Sequence, residues 1–184
     1  MNIKNNRRHQ QTIERIEKAF LEFLQTRELA QIRVSDICKE AQINRSTFYA
    51  NYCDIYDLAE QLKNKLFDEV NQMWGQDIDW FSSDGDFLKL FQHIYQNQEL
   101  YRFYFKLGYD HSKHPVMHNI ESAVKNEDQR FLRYHITFFK NGLNGIIKEW
   151  LDGGCQETPE EMCGVLLLEY SGRFVVNKSD QYHQ

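Results

Sequence analysis

The sequence predicts an all-α protein in two parts, a small helical domain over residues 1–53 and a larger one over 54–184. Three observations carry that expectation. There are only two prolines and nine glycines in 184 residues, too few chain-breakers for a loop-rich β design. Apolar residues recur at three- and four-residue spacing along nearly the whole chain. Apolar residues make up 41% and charged ones 27%, enough to bury a core and too apolar for a disordered chain.

The elements follow in order. Ile13, Ile16, Phe20, Phe23 and Leu24 form one stripe, which predicts a first helix over residues 9–27. Ser35 is a good N-cap for a short second helix, with Asp36 where the helix dipole favours negative charge. Ile37 and Ala41 lie one turn apart on its inner face. Gln42-Ile43-Asn44 reads as a turn, and Asn44 as the cap of a third short helix from Arg45 to Tyr49. Ile55, Leu58, Ala59, Leu62, Leu66, Val70 and Met73 then mark a long amphipathic helix. A polar break runs from Gly75 to Gly85. Phe87, Leu88, Phe91, Ile94 and Tyr95 make the next helix, Leu100 to Leu107 another, and His111 to Pro115 a loop. Residues 128–152 form a second long helix, closed by Gly153-Gly154. Thr158-Pro159-Glu160-Glu161 is a helix start with a capping box, and that helix runs to Val176.

The formal charge of −5 argues against a uniformly basic, DNA-coating protein, although charge acts where it sits. Residues 1–52 carry nine Lys and Arg against six Asp and Glu, and the remainder thirteen against 21. A basic end on an acidic body suits a chain that meets a polyanion at one end; ordinary surface variation gives the same imbalance. The cysteines Cys38, Cys53, Cys155 and Cys163 are scattered, with no C-x-x-C, and no apolar run suits a membrane span or signal peptide. Reduced thiols in a cytoplasmic protein with no membrane partner are the expectation.

Two short helices joined by a tight turn, with the small Ala41 entering it and Ile43 inside it, satisfy the needs of a helix-turn-helix. The second helix must offer short polar side chains at its start, since these reach base edges in a major groove. Arg45, Ser46 and Thr47 fit. Arg bonds guanine O6 and N7 or a phosphate, and Thr hydrogen-bonds or touches a thymine methyl. Phe48 and Tyr52 should point inward and anchor the helix.

The run Ile32-Arg33-Val34-Ser35-Asp36-Ile37, continued through Ala41-Gln42-Ile43-Asn44-Arg45-Ser46-Thr47-Phe48-Tyr49 to Asn51-Tyr52, resembles the DNA-binding segment of the TetR/AcrR family of transcriptional regulators. With the helices on either side, the resemblance covers residues 9–70. It implies that Arg45, Ser46 and Thr47 face bases or phosphates, that Tyr49 donates its hydroxyl to a phosphate, and that Asn51 (usually His) lies near the DNA backbone. Ser35, Asn44 and Arg33 complete the candidate DNA-binding set, and Arg7 and Arg8 would be either a basic arm or a solvated terminus. Two positions depart from the family pattern. Gln42 replaces the turn glycine, which costs about 1 kcal/mol if φ is positive there. Ile55, preceded by Asp54, replaces a frequent Lys, so non-specific affinity should be weaker and its salt dependence flatter.

The stretch Phe139 to Gly154, with Thr158 to Met162, is similar to a subgroup of that family that regulates dihydroxyacetone kinase operons. The resemblance implies a helical regulatory domain that dimerises and often binds a small molecule. The helix over 128–152 is apolar on many sides, and Gly142 and Gly145 permit close helix approach. That helix and 158–176 therefore read as a dimer-forming pair, with Gly142, Ile146, Trp150, Leu166 and Tyr170 at the interface, or else as helices buried within one chain. Phe91, Tyr95, Tyr104, Tyr134 and Phe138 are candidate effector-binding residues, though aromatic stripes also simply build cores.

The spacing of His111, His114 and His118 could hold zinc, but no fourth ligand stands nearby, so the segment reads as a solvated loop with no metal. No cofactor is expected, and no Ser-His-Asp order, phosphate loop or HExxH appears. The expectation is a non-enzymatic, dimeric DNA-binding regulator, a repressor by the family's commoner sign, on a palindromic operator of double-stranded DNA with a small-molecule effector. A helical small-molecule-binding protein or enzyme without DNA binding is the alternative.

Overall fold

A computed structural model of the chain describes residues 3–74, 84–109 and 129–171. The described residues are helical throughout and fall into two compact units, Met1–Asp68 and Glu69–Gln184.

The first unit is built on α1 (Ile3–Thr26), which begins earlier than its apolar stripe requires. Arg7 and Arg8 therefore sit exposed on a helix rather than on an arm. Ile16, Ala19, Phe20 and Leu24 of α1 are buried. A single 3-10 turn (Leu29–Gln31), which the periodicity did not reveal, delivers the buried Ile32 to α2 (Val34–Glu40). This early entry displaces the expected cap. Arg33, with extended φ −111 and ψ 145, is the N-cap of α2, its carbonyl accepting from the amides of Asp36 and Ile37. Ser35 thus lies inside the helix. Asp36 sits in the first turn as expected and pairs with Arg27 at 2.8 Å.

After α3 (Arg45–Tyr49) comes α4 (Ile55–Trp74), whose Ile55, Leu58, Ala59, Leu62, Leu66 and Val70 are buried as its period demands. Asp54 caps α4 by accepting the Asp57 amide at 2.8 Å, and Asp57 reaches back to the Cys53 amide at 2.7 Å. Lys65 of α4 pairs with Glu17 of α1 at 2.7 Å. The compact unit thus takes in most of α4 and ends at Asp68.

The second unit holds α5 (Asp84–Gln96), α6 (Gln98–Lys106), α7 (Gln129–Asp152) and α8 (Pro159–Ser171). α5 packs on α8 and α6, and α6 on α7. Phe87, Phe91, Ile94, Tyr101, Phe103, Ile147, Trp150, Leu151 and Leu166 supply much of the core. α7 ends as its glycines predict. Gly154 takes φ +80, and Cys155 donates to the Trp150 carbonyl at 2.8 Å, closing a Schellman motif. The Thr158–Glu161 capping box is complete, with bonds of 2.8 and 3.2 Å. Positions 172–176, expected to continue that helix, and His111, His114 and His118 lie outside the described residues. All four cysteines are free thiols, and no helix among the described residues is long and apolar enough to cross a membrane.

Candidate nucleic-acid interface

Geometry at the turn follows from one residue. Gln42 adopts φ +53. The amide of Ile43 donates to the Cys38 carbonyl at 2.9 Å and that of Gln42 to the Lys39 carbonyl at 3.3 Å. Together these form a Schellman closure of α2, which turns the chain sharply into α3. An L-residue in the left-handed region costs roughly 1–2 kcal/mol, so the conformation expected of a glycine is kept here without one. Ala41, nearly fully buried at the turn, leaves room for the two helices to meet.

Five-residue α3 is held from beneath. Phe48 is fully buried and Tyr52 nearly so, their ring centroids 5.6 Å apart. Asn44 is the N-cap of α3, extended at φ −80 and ψ 153. Its carbonyl accepts from Thr47 and Phe48, while its side chain makes no capping bond. The outward face is what remains. Asn44, Arg45 and Ser46 are exposed, and Thr47 is half-buried. Tyr49 is 56% exposed with its ring edge-on to Phe48. Arg33 is exposed at the start of α2, and Ser35 is half-buried beside it. Asn51 donates its side-chain amide to the Thr47 carbonyl at 2.7 Å, closing the C-terminus of α3. Ile43, expected inside the turn, is only half-buried.

Two further features bear on this surface. Ile55, at the position of the family's frequent Lys, is buried, and the neighbouring Tyr56 is 60% exposed. Periodicity could have placed Tyr56 on the outer face of α4, since it falls opposite Leu58 and Leu62. The carboxyl of Asp57 is held below its ordinary pKa, first by the Cys53 amide and then by Gln61. A negative charge therefore remains fixed at the start of α4.

The residues singled out in the second unit are dispersed. Phe91 is fully buried and packs edge-on against Trp150 at 5.6 Å, while the half-exposed Tyr95 stacks on the same indole at 6.1 Å. Tyr104 is buried beside Phe105 and Tyr109. Tyr134 and Phe138 lie exposed on α7. Trp150 and Leu166, expected at an interface, are instead buried in the chain's own core, where the indole donates to the Glu157 carbonyl at 3.1 Å. Gly142 and Ile146 are half-buried, and the Tyr170 side chain lies outside the described residues. Among the described residues of α8, the large apolar side chains left in solvent are Val165 and Leu168, the latter 81% exposed.

Comparison with known proteins agrees with this architecture. Residues 68–167 match a TetR-type family model described as "Transcriptional regulator C-terminal region". The HTH-type dhaKLM operon transcriptional activator DhaS of Lactococcus lactis subsp. lactis (strain IL1403) is 28% identical over 123 residues, 65% of this chain. That match spans 64% of the activator's own length, less than two thirds. Among solved structures, the dihydroxyacetone kinase operon activator DhaS superposes with a TM-score of 0.55 at 20% identity, covering 87% of this chain and 96% of that one. A TetR transcriptional regulator from Streptococcus agalactiae 2603V gives 0.54 at 23% identity, covering 91% and 97%. These two structural likenesses are likenesses of fold.

Proposed function

From the premise that this chain belongs to the TetR family of transcriptional regulators, we propose that it binds a palindromic DNA operator as a homodimer and represses transcription from it. The observation that carries this reading is the sorting of α3, with Phe48 buried while Arg45, Ser46 and Tyr49 face solvent. A helix anchored by one aromatic presents the rest of its surface at a fixed height, which major-groove reading requires. In this reading Arg45, Ser46 and Thr47 meet base edges or phosphates. Tyr49, Ser35, Arg33 and Asn44 meet the backbone, and Asn51 holds the end of α3 in place.

The palindrome requires two copies. Leu168 and Val165, apolar and exposed on a helix whose other side is buried, support α8 as part of the dimer contact, with α7 and its Gly142 and Ile146 beside it. A small-molecule effector bound among the aromatics of the second unit would bias the spacing of the two recognition helices and so change DNA affinity. The chain would act in the cytoplasm, without a cofactor and without catalysing a reaction.

A second reading concerns sign. The relative DhaS is named an activator, which favours activation at this chain's own operator. A reporter driven by that promoter, with and without the protein, separates the two: expression falls with a repressor and rises with an activator. Binding itself is tested by retardation of duplex DNA from the promoter region of the chain's own gene. Arg45→Ala should lose the specific complex, and failure of the unchanged protein to bind any duplex at low salt would overturn the proposal.

A further inference from the structure

Between α1 and the helix-turn-helix lies a groove of about 520 Å³, lined by Thr12, Arg15, Cys38, Lys39, Gln42, Ile43, Asn44 and Thr47. No carboxylate lines it. Its cations are exposed, and among the described residues the Lys39 ammonium and the Arg15 Nη atoms have no partner; Arg15 spends only its Nε, on the Gln11 carbonyl at 3.4 Å. The side-chain amides of Gln42 and Asn44 and the Thr47 hydroxyl are likewise uncommitted among the described residues, whereas Thr12 spends its hydroxyl proton on the Arg8 carbonyl at 2.9 Å. Burial pushes the Cys38 thiol pKa up, against the smaller opposing pull of the Arg45 charge. Two cations and the side chains of Gln42, Asn44 and Thr47 around one opening, with no anion to neutralise them, form an unfilled set of donors.

We infer that this groove seats a phosphate group, with Arg15 and Lys39 as its charged clamps and Asn44 and Thr47 as neutral donors. Neither cation belongs to the surface expected to read DNA, and Arg15 comes from α1 rather than from the helix-turn-helix. Two sources share this chemistry. One is a backbone phosphate of a duplex, which rests on the DNA-binding reading above; the other is a free phosphate or phosphorylated small molecule, which would compete with DNA for the same groove.

The full-length chain tests both. Duplex affinity is measured by fluorescence anisotropy across a salt series, for the unchanged protein, Arg15→Gln, Lys39→Gln and the control Lys18→Gln, whose ammonium already faces Glu22 at 3.8 Å. If a backbone phosphate fills the seat, removing both clamps flattens the slope of log K against log salt by roughly 0.9, each single groove variant flattens it by part of that, and the control leaves it unchanged. In parallel, inorganic phosphate is titrated at constant ionic strength while the amide resonances of Gln42, Ile43 and Asn44 are followed. Saturable shifts that vanish in the double variant support the seat. Such shifts with unchanged duplex slopes assign it to free phosphate. If the unchanged protein shows the shifts and binds no duplex, the seat stands and the DNA-binding reading fails. Unchanged slopes together with no saturable shift overturn the seat, and a protein that still binds duplex then keeps the DNA-binding reading.

Discussion

Replacing Gln42 with glycine should make the helix-turn-helix more stable. Gln42 sits at φ +53 because the Ile43–Cys38 and Gln42–Lys39 hydrogen bonds require it. Its Cβ costs roughly 1–2 kcal/mol in that conformation. Glycine removes the strain but frees the unfolded chain, which gives back about 0.4–1 kcal/mol. The net expectation is a gain of roughly 0.5–1 kcal/mol. Because the chain has two units, a single melting temperature is a poor reporter, and native-state amide exchange is the better assay. The Ile43 amide, which closes the motif, should exchange roughly two- to fivefold more slowly in Gln42→Gly, following the local opening free energy. Gln42→Ala keeps the strain and should exchange like the unchanged protein, and Gln42→Val should exchange faster. Equal or faster exchange in Gln42→Gly would refute the argument from backbone strain.

Other outcomes follow from the same structure. Phe48→Ala empties a fully buried position and should cost about 3–5 kcal/mol, melting the first unit and abolishing duplex binding; near-unchanged denaturation would show that Phe48 is not the anchor. Tyr49→Phe removes only an exposed hydroxyl, so stability should hold while duplex affinity drops roughly 3- to 10-fold by anisotropy, and unchanged affinity would remove Tyr49 from the contact set. His93 bonds the Tyr101 hydroxyl at 2.9 Å, with Glu69 at 3.6 Å, and burial holds its pKa below the ordinary imidazole value against the pull of Glu69. Its folded pKa is therefore the lower one, so its contribution is full above the ordinary imidazole pKa and is lost as pH falls through the folded value. The resistance of the unchanged protein to denaturant should weaken over that acid window and His93→Gln should flatten the dependence; parallel curves would count against it.

Much of the fold was legible because helical periodicity was strong and the caps were local. Ile55, Leu58, Ala59, Leu62, Leu66 and Val70 are buried as their spacing demands, and Thr158 with Glu161 forms the box their identities predict. Ser35 was misplaced because the 3-10 turn before α2 has no periodic signal of its own, and that turn decides where the helix begins. The buried positions of Trp150 and Leu166 were not readable because a helix apolar on several sides does not say which face its own chain covers. In the candidate DNA surface, the local part was legible: the turn at Gln42, the anchor at Phe48 and the exposed Arg45 and Tyr49. Arg15 escaped notice because its place beside Lys39 and Thr47 depends on how α1 packs across the motif, and no short-range spacing encodes that.

The most direct measurement is a footprint of the protein on duplex DNA from the promoter region of its own gene, paired with the same footprint for Arg45→Ala. The expected result is two protected patches on one face of the duplex, centred about one helical turn or a multiple of it apart, and lost on Arg45→Ala while the variant remains folded. Absence of any protected patch at low salt, or a patch that survives Arg45→Ala unchanged, would contradict the assignment of α3 as the element that reads DNA.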